Sequence, residues 1–274
     1  MSKTAPSLEN VYDTARNFLI SKIPSKHPES ILTPYLSVPG GNASPKSLEK
    51  VYERLLISAQ NANMKAAVIG GSIGGVEKLA SILFDFNPKQ IVDHYGNDDA
   101  LVLREIRVKL NPSGQIRITA KSIWPKYCRT ILSAARFFMQ FATGPEFYSW
   151  ANHFYEDKRS IAALPLILAQ EIYGIGYPLA CDFLKELGFI NYGKPDVHVI
   201  EIFRGLGLCQ NGASPYEIQK IIVLIAAAKG VTAYNVDKIF WLIGSGKFYD
   251  HPEIGNNGSI GRNKRDFIEQ FGQS

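Results

Sequence analysis

Two short segments of the chain combine residue types at spacings that could do chemistry. The first is a Gly-x-Gly turn, in which Gly174 and Gly176 are flanked by Tyr173 and Tyr177. The N–H groups of such a turn, together with the N-terminus of a following helix, form a site for one phosphate group. The second is Asp196, a carboxylate 20 residues beyond Gly176. The turn therefore indicates phosphate binding, although a glycine turn between two helices can also be purely structural.

Helices must position both segments. An apolar helical run precedes the turn, and residues 178–187 carry apolar side chains at roughly helical spacing after it. Pro178 suits the first turn of that second helix, and Gly188 suits the position that closes it. Asp196 stands before another apolar run, 197–206, where its carboxylate would cap a helix and be kept ionised by the helix dipole. The pattern predicts a helix, a glycine hairpin and a second helix, followed by an Asp-capped third.

The order of these pieces resembles the helix-hairpin-helix DNA glycosylases, the HhH-GPD superfamily that includes endonuclease III and the 8-oxoguanine and adenine glycosylases. That family carries a Gly-x-Gly hairpin and then a Gly/Pro-containing loop with an invariant Asp, which here are Gly193, Pro195 and Asp196. The sequence Asp-Val-His at 196–198 is also similar to the family's Asp-[Val/Thr]-His. The resemblance covers residues 48–250, and its specific motifs lie within 166–204.

The resemblance implies roles for named residues. Asp196 would stabilise the oxocarbenium-like transition state when the N-glycosidic bond of a flipped nucleotide is cut. Gln60 would enter the space left by the flipped base, since residues 55–63 are similar to a family segment whose Gln does so. The implied DNA-binding hairpin consists of Gly174, Ile175, Gly176 and Tyr177. Further candidates for the substrate pocket are Trp124, Tyr127 and His198, although most aromatic side chains of this region are expected to pack in the core.

The residue at the family's lyase position departs from the pattern. Bifunctional members use a lysine two residues after the second hairpin glycine as a Schiff-base nucleophile. Here that residue is Pro178, which has no amine, and Lys194 is an alternative amine close to Asp196 in sequence. The resemblance therefore predicts a monofunctional DNA glycosylase of base-excision repair. It leaves open a non-catalytic DNA-binding protein that uses the same hairpin.

A glycine cluster at residues 70–75 offers a third alternative, a flavin or nicotinamide enzyme. The fingerprint G-x-G-x-x-G is not met, because Ser72 or Ile73 occupies its third position, depending on the starting glycine. No strand ending in an acidic residue follows about 20 residues later. We therefore expect no cofactor, and residues 64–75 are predicted to form a loop between two helices.

Composition sets broad limits. The chain has 274 residues, 46% hydrophobic and 20% charged, which suits one large or two small globular domains. Its net charge of +5 favours an anionic partner, here double-stranded DNA. The cysteines at 128, 181 and 209 lack metal-binding spacing, so we expect no metal and no iron–sulfur cluster. No signal peptide and no apolar stretch of about 18 residues is present, which predicts no membrane contact and a cytoplasmic location.

The fold is predicted to be all-α, with two helical lobes and a DNA cleft between them. Helical patterns run through most of the chain, residues 116–118 alone suggest extended structure, and the Pro- and Gly-containing residues 23–46 suggest loop. Because the family's chain returns to its first lobe, we expect one lobe from 48–145. The second would combine 1–47 with 146–274 and carry the hairpin and Asp196. A monomer is expected.

Overall fold

Helices dominate the structure, a computed structural model that describes residues 7–37, 46–62, 67–249 and 251–272. These residues contain no β-strand, and an isolated antiparallel bridge joins Lys247 to Ser259. The predicted all-α class is therefore confirmed. None of the helices in these ranges has the length and apolar character needed to span a membrane.

The α-helices in chain order are α1 (Leu8–Lys22), α2 (Pro28–Leu36), α3 (Leu48–Ala59), α4 (Gly70–Ile73), α5 (Pro88–Tyr95), α6 (Asp99–Glu105), α7 (Ile123–Phe138), α8 (Gly144–Tyr155), α9 (Ala163–Glu171), α10 (Tyr177–Glu186), α11 (Val197–Gly205), α12 (Pro215–Lys229), α13 (Ala233–Ser245) and α14 (Lys264–Phe271). Short 3-10 turns occupy Val76–Ser81, Phe84–Phe86 and Asn256–Gly258, and a π-helical turn occupies Ile106–Leu110.

The chain forms two compact units. The terminal unit comprises Met1–Gly41 and Gly188–Ser274, and the central unit comprises Asn42–Leu187. The chain returns to its first unit at Gly188. Residues 146–187 group with the central unit, whereas the sequence prediction placed them with the N-terminal segment. The reason is packing, because α8 and α10 lie against α3 and α9 lies against both of them. The hairpin therefore belongs to the central unit and Asp196 to the terminal unit.

The terminal unit is built around α1, α12 and α13. One face of α1 buries Val11, Ala15, Phe18 and Leu19, residues at helical spacing. The ring centroids of Phe18 and Phe267 lie 4.9 Å apart, which ties α1 to α14 in the same core. Capping boxes start both α12, at Ser214, and α13, at Thr232, so that the two helices which support Asp196 begin at fixed residues.

The central unit has an aromatic core where α3, α7, α8 and α10 meet. Its fully buried rings are those of Tyr52, Phe138, Phe147 and Phe183, with neighbouring centroids 5.5–6.3 Å apart. The hydroxyl of Tyr52 donates a hydrogen bond of 2.9 Å to the Ile131 carbonyl, which satisfies its buried polar group. This core fixes the two helices, α3 and α7, against which the hairpin segment packs.

Two segments differ from the sequence prediction. Helix α2 lies within the residues predicted to be loop, because Pro28 occupies its first turn, where a proline is tolerated, and Ile31 and Leu32 are buried. Residues 116–118 form no strand, since no partner strand exists among the described residues. Part of the proline-rich prediction, 38–45, lies outside the described residues.

Candidate functional site

The turn between α9 and α10 is a tight hairpin whose shape requires glycine. The Ile175 N–H donates to the Ile172 carbonyl at 3.2 Å, which closes the turn. Gly174 has φ +80°, in the left-handed region, and a Cβ there would overlap the Thr130 hydroxyl on α7. Gly174 is therefore needed both for its backbone conformation and for the close approach of the hairpin to α7.

Side chains of α7 hold the hairpin in place. The Tyr173 N–H donates to the Ser133 hydroxyl at 2.9 Å, and the Arg129 guanidinium lies 4.8 Å from the centre of the Tyr173 ring. The side chains of Ile175 and Tyr177 are buried, and the Tyr177 hydroxyl donates to the Ala162 carbonyl at 2.9 Å. Ile175 and Tyr177, which the sequence predicted to bind DNA, therefore anchor the hairpin, because their side chains point into the central unit.

The exposed surface of the hairpin is main chain. Gly174 and Gly176 are exposed, and neither N–H donates a hydrogen bond within the described part of the chain. Gly176 is also the N-cap of the ten-residue helix α10, so the positive end of that helix lies at the same place. Tyr173, whose side chain is 42% exposed, borders this surface, and the prediction had not included it.

Helix α10 is held on α3 by a cluster of buried polar groups. The Lys185 ammonium lies 3.7 Å from one Asp182 oxygen, and the Ser58 hydroxyl donates to the other at 3.1 Å. Arg54 in turn donates to the Ser58 hydroxyl at 3.0 Å. These contacts fix α10, and with it the N-terminal turn that carries Gly176, to the helix that ends beside Gln60.

Gln60 lies at the C-terminal end of α3 and lines a pocket of the central unit. Its side-chain oxygen accepts a hydrogen bond of 3.2 Å from the Gly70 N–H, and a Cβ on Gly70 would overlap that oxygen. The pocket has a volume of about 500 Å³, and the glycine-containing segment 71–75 forms its other side. The sequence predicted residues 64–75 as a loop. Residues 64–66 lie outside the described residues, and Gly70–Ile73 form the short helix α4.

Trp124 and Tyr127, proposed from the sequence as pocket residues, lie in the core of the central unit. Both are at least 95% buried, and the Tyr127 hydroxyl donates to the Leu56 carbonyl at 3.0 Å. Burial raises the pKa of Tyr127. In this structure neither ring is exposed for stacking on a flipped base, because both occur on the buried face of α7.

Asp196 caps α11, as its position in the sequence indicated. One carboxylate oxygen, Oδ1, accepts hydrogen bonds from the His198 N–H at 2.9 Å and the Val199 N–H at 3.2 Å. The other oxygen, Oδ2, accepts none from the described residues. The two bonds therefore fix the carboxylate through one oxygen and leave the second for another partner.

The loop before Asp196 is held against α12 and α13. The buried amide of Gln219 accepts from the Gly193 N–H at 3.2 Å and donates to the Asn191 carbonyl at 3.2 Å. A Cβ on Gly193 would come within 3.0 Å of the Asp237 side chain on α13. Gly193 thus lets the loop come close to α13, and this approach brings Asp196 near Asp237.

The electrostatic environment of Asp196 favours its protonated form. Burial raises the pKa of Asp196 above its ordinary value of 3.8, and the Asp237 carboxylate raises it further. The hydrogen bond from Val199 and the positive charges of His198 and Lys194 act in the opposite direction but are smaller. The helix N-terminus at α11 therefore does not outweigh burial and Asp237 in setting the direction of this pKa shift. The sequence could not reveal the opposing groups, because Asp237 is 41 residues away.

His198 lies beside Asp196 on the first turn of α11 and packs on α13. A Cβ on Gly244 would come within 2.5 Å of the His198 side chain, so glycine is needed at this helix crossing. Burial lowers the pKa of His198, Asp196 opposes this change, and Lys264 and Arg262 add to the lowering. Its buried Nδ1 forms no hydrogen bond with the described residues.

The described residues include no group of three or more His, Cys, Asp or Glu side chains arranged to hold a metal ion. Cys128 and Cys181 are buried, and Cys209 is half-buried.

Comparisons with known proteins give limited similarity. No protein-family model matches the chain, and no curated protein matches it. Among solved structures, the 8-oxoguanine glycosylase/lyase of Methanocaldococcus jannaschii in complex with a 15mer DNA containing 8-oxoguanine is similar, with 18% identity and a TM-score of 0.48. The alignment covers 82% of this chain and 96% of that one. A similarity of this degree does not place the chain in a family, so its own residues must support any functional assignment.

The raised pKa of Asp196 predicts that Asp196→Asn is at least as stable as the wild type at neutral pH. The native state holds the Asp196 proton more tightly than the unfolded chain, so stability is lost as the pH rises from 3.8 through the native pKa. Asn keeps the cap without the charge. Chemical unfolding across this pH range should show the stability difference growing in favour of the variant and then levelling off.

Asp98 provides a matched control, because it also caps a helix, accepts a hydrogen bond from the Leu101 N–H at 2.8 Å and is exposed. The stability change of Asp98→Asn measures the effect of exchanging an exposed capping carboxylate for an amide, without the burial that acts on Asp196. Asp196→Ala should lose about 1 kcal/mol through the missing cap. A wild type that gains stability over Asp196→Asn as the pH rises would contradict the assigned electrostatics.

Proposed function

We propose that this protein is a monofunctional DNA glycosylase that hydrolyses the N-glycosidic bond of a flipped damaged or mispaired base in double-stranded DNA. The observation that carries the proposal is the fixed, partly buried carboxylate of Asp196. It stands 20 residues after a hairpin whose Gly174 and Gly176 N–H groups donate no hydrogen bond within the described part of the chain. The resemblance of these two segments to the helix-hairpin-helix glycosylases supplies the reaction class. In this proposal the hairpin binds the DNA backbone and Asp196 acts on the sugar.

The hairpin has the properties of a phosphate site. The exposed N–H groups of Gly174 and Gly176 and the N-terminus of α10 together offer partial positive charge to an anion. Main-chain N–H groups that bind phosphate make no contact with the bases, so binding through them is independent of DNA sequence. The exposed ring of Tyr173, supported by Arg129, adds a flat surface at the edge of the same site.

Asp196 has the properties required for stabilising a cationic transition state. Cleavage of an N-glycosidic bond develops positive charge on the sugar, and a carboxylate in a site of low polarity interacts with that charge more strongly than one in water. Its Oδ1 is held by two backbone N–H groups, so Oδ2 has a defined position for the sugar or the attacking water. The neighbouring Asp237 adds negative charge and favours a cation at this place.

The ionised form of Asp196 is the active one in this mechanism. Because burial and Asp237 raise its pKa, the rate of base release should increase with pH as this carboxyl loses its proton. The energetic cost that these groups impose on the free carboxylate is relieved when positive charge develops beside it. The same environment therefore explains both the raised pKa and the proposed catalytic role.

Asp196→Asn is expected to lower base release by about a hundredfold or more, since such electrostatic groups contribute roughly 3 kcal/mol to the barrier. DNA affinity should stay within a fewfold of the wild type, because phosphate contacts dominate affinity. Single-turnover base release from duplexes that each contain one lesion measures the first effect, and a binding titration with the same duplexes measures the second.

The exposed N-cap variant Asp98→Asn serves as the control and should keep full activity. An Asp196→Asn protein that is folded and fully active would restrict Asp196 to its capping role. If the wild type binds DNA and releases no base from a broad panel of lesions, the non-catalytic DNA-binding protein becomes the better assignment.

The absence of a lyase amine gives a separate prediction. Pro178 is in the first turn of α10, where its ring has no amine for a Schiff base, so the product strand should keep an intact abasic site. Incubation with substrate and borohydride should trap no covalent complex. A trapped complex that disappears in Lys194→Gln would instead assign a lyase reaction to Lys194.

Gly176→Ala should weaken duplex DNA binding about tenfold, which corresponds to losing one hydrogen bond to a charged group worth roughly 1.5 kcal/mol. At this position φ is −83°, and the nearest atom to an added Cβ is Pro178 Cδ at 3.9 Å, so the protein should fold normally. The methyl group would stand between the phosphate and the N–H groups. Binding titrations and thermal unfolding measure the two properties.

Gly174→Ala should behave differently and lose stability as well, because its Cβ would overlap the Thr130 hydroxyl at φ +80°. The loss of affinity in Gly176→Ala should be equal for duplexes of unrelated sequence. Wild-type affinity in a folded Gly176→Ala protein would remove the hairpin from the DNA interface.

A further inference from the structure

The central unit contains a second pocket, formed where α6 ends. The helix passes at Glu105 into the π-helical turn Ile106–Leu110, and the chain then reverses through Asn111 and Gly114, both with positive φ. The pocket enclosed by these segments has a volume of about 530 Å³. Its far side is fixed by a hydrogen bond of 2.8 Å from the Ser113 N–H to the Ser72 carbonyl.

Two arginines line this pocket. Arg104 lies in the last turn of α6 and Arg107 in the π-helical turn, and both side chains are exposed. Neither forms an ion pair or a hydrogen bond with any of the described residues. The nearby carboxylate, Glu105, is already bonded to Lys109 at 2.8 Å and to the Tyr95 hydroxyl at 3.0 Å. The positive charge of the two guanidinium groups is therefore uncompensated.

The surrounding segment is strongly basic. Residues 104–121 contain five Lys or Arg residues and a single acidic residue, Glu105. Arg117 and Lys121, which follow the pocket loop, are both exposed. Of these cations, Lys109 is bonded to Glu105, and the others have no ion pair within the described part of the chain, so the segment favours an anionic ligand.

The composition of the pocket narrows the class of anion. Guanidinium groups present paired N–H donors that match the oxygens of a phosphate, and the side-chain amides of Asn111 and Gln115 add further donors. Val108, 76% exposed at the same pocket, offers an apolar surface suited to a sugar ring. A phosphate linked to a sugar fits this combination of charged and apolar groups.

We propose that this pocket binds a phosphodiester of the DNA strand, as a backbone contact of the central unit separate from the glycine hairpin. The proposal rests on the DNA-binding function proposed above. It assigns Arg104 and Arg107 to one phosphate and Val108 to the adjoining deoxyribose. The hairpin and the pocket then give the central unit two backbone contacts that carry no base preference.

The test is a duplex DNA titration at several salt concentrations with the wild type and with Arg104→Gln/Arg107→Gln. At low salt the double variant should bind about tenfold more weakly. The slope of log affinity against log salt should become shallower by about one, as expected for the loss of one phosphate contact. Both arginines are exposed, so the variant should unfold at the wild-type temperature.

Lys50→Gln/Lys89→Gln is the matched control, because it removes the same charge from lysines that already have carboxylate partners, Glu53 at 2.6 Å and Asp93 at 2.7 Å. This variant should keep the wild-type salt slope. Equal affinity and slope in the wild type and the arginine variant would overturn the proposal. So would equal losses in the arginine and lysine variants, since those would reflect net charge alone.

Arginine modification by phenylglyoxal, mapped by mass spectrometry on the wild type, gives an independent measurement. A DNA duplex should protect Arg104 and Arg107, and polyglutamate of equal charge should not. Absence of protection by DNA, or equal protection by polyglutamate, would overturn the phosphate assignment.

These measurements use binding alone and are separate from base release. A wild type that releases base while the arginine variant binds DNA normally would end this proposal and leave the glycosylase intact. A protein whose DNA binding requires both arginines but which releases no base would support the phosphate site and overturn the proposed glycosylase activity.

Discussion

The burial of one carboxylate, that of Asp196, is the constraint on which the terminal unit's candidate site depends. A buried carboxylate needs hydrogen bonds, and the start of α11 provides two backbone donors to a single oxygen. The cap fixes the carboxylate but does not cancel the effect of burial, because the pKa of Asp196 is still raised. The site therefore holds an acidic group in an environment that opposes its charge, an arrangement typical of functional sites.

The loop and helices around Asp196 follow from this constraint. Gln219 pairs with the main chain of the loop at both Gly193 and Asn191, which offsets the cost of placing these polar groups against α12. Gly193 and Gly244 allow the loop and α11 to approach α13 more closely than any larger residue would. The close approach brings Asp237 into the surroundings of Asp196, where a second negative charge favours a cationic partner.

In the central unit the corresponding constraint is the contact between the hairpin and α7. Two apolar or aromatic side chains, Ile175 and Tyr177, point inward and anchor the turn, while the two glycines face outward. The residues predicted as one DNA-binding set thus divide into a buried pair that gives rigidity and an exposed pair that offers main-chain donors. A rigid turn loses little freedom when it binds, which suits it to recognition through a few N–H groups.

Local patterns in the sequence determined the helical class, the glycine hairpin and the Asp cap. Each is set by residues within one or two turns: the spacing of apolar side chains, Pro178 in the first turn of α10, Gly188 after it, and Asp196 before α11. Helix α2 is the exception among local features, because its prolines suggested a loop. Pro28 lies in the first turn, where a proline is tolerated, but Pro34 lies inside the helix, which is held by the burial of Ile31 and Leu32. The resemblance to the glycosylases also rests on these local motifs, the glycine hairpin and the loop that carries Asp196.

Only the tertiary structure decided which side chains face outward and which charges meet. Contacts between residues far apart in the chain bury Trp124, Tyr127, Ile175 and Tyr177 and place the hairpin in the central unit. They also bring Asp237 close enough to Asp196 to raise its pKa. The raised pKa of Asp196 has the same origin, since the helix dipole is a local property but desolvation is produced by everything packed around the carboxylate. The sequence by itself specifies where a carboxylate caps a helix, and the packing of distant segments determines how its pKa is shifted there.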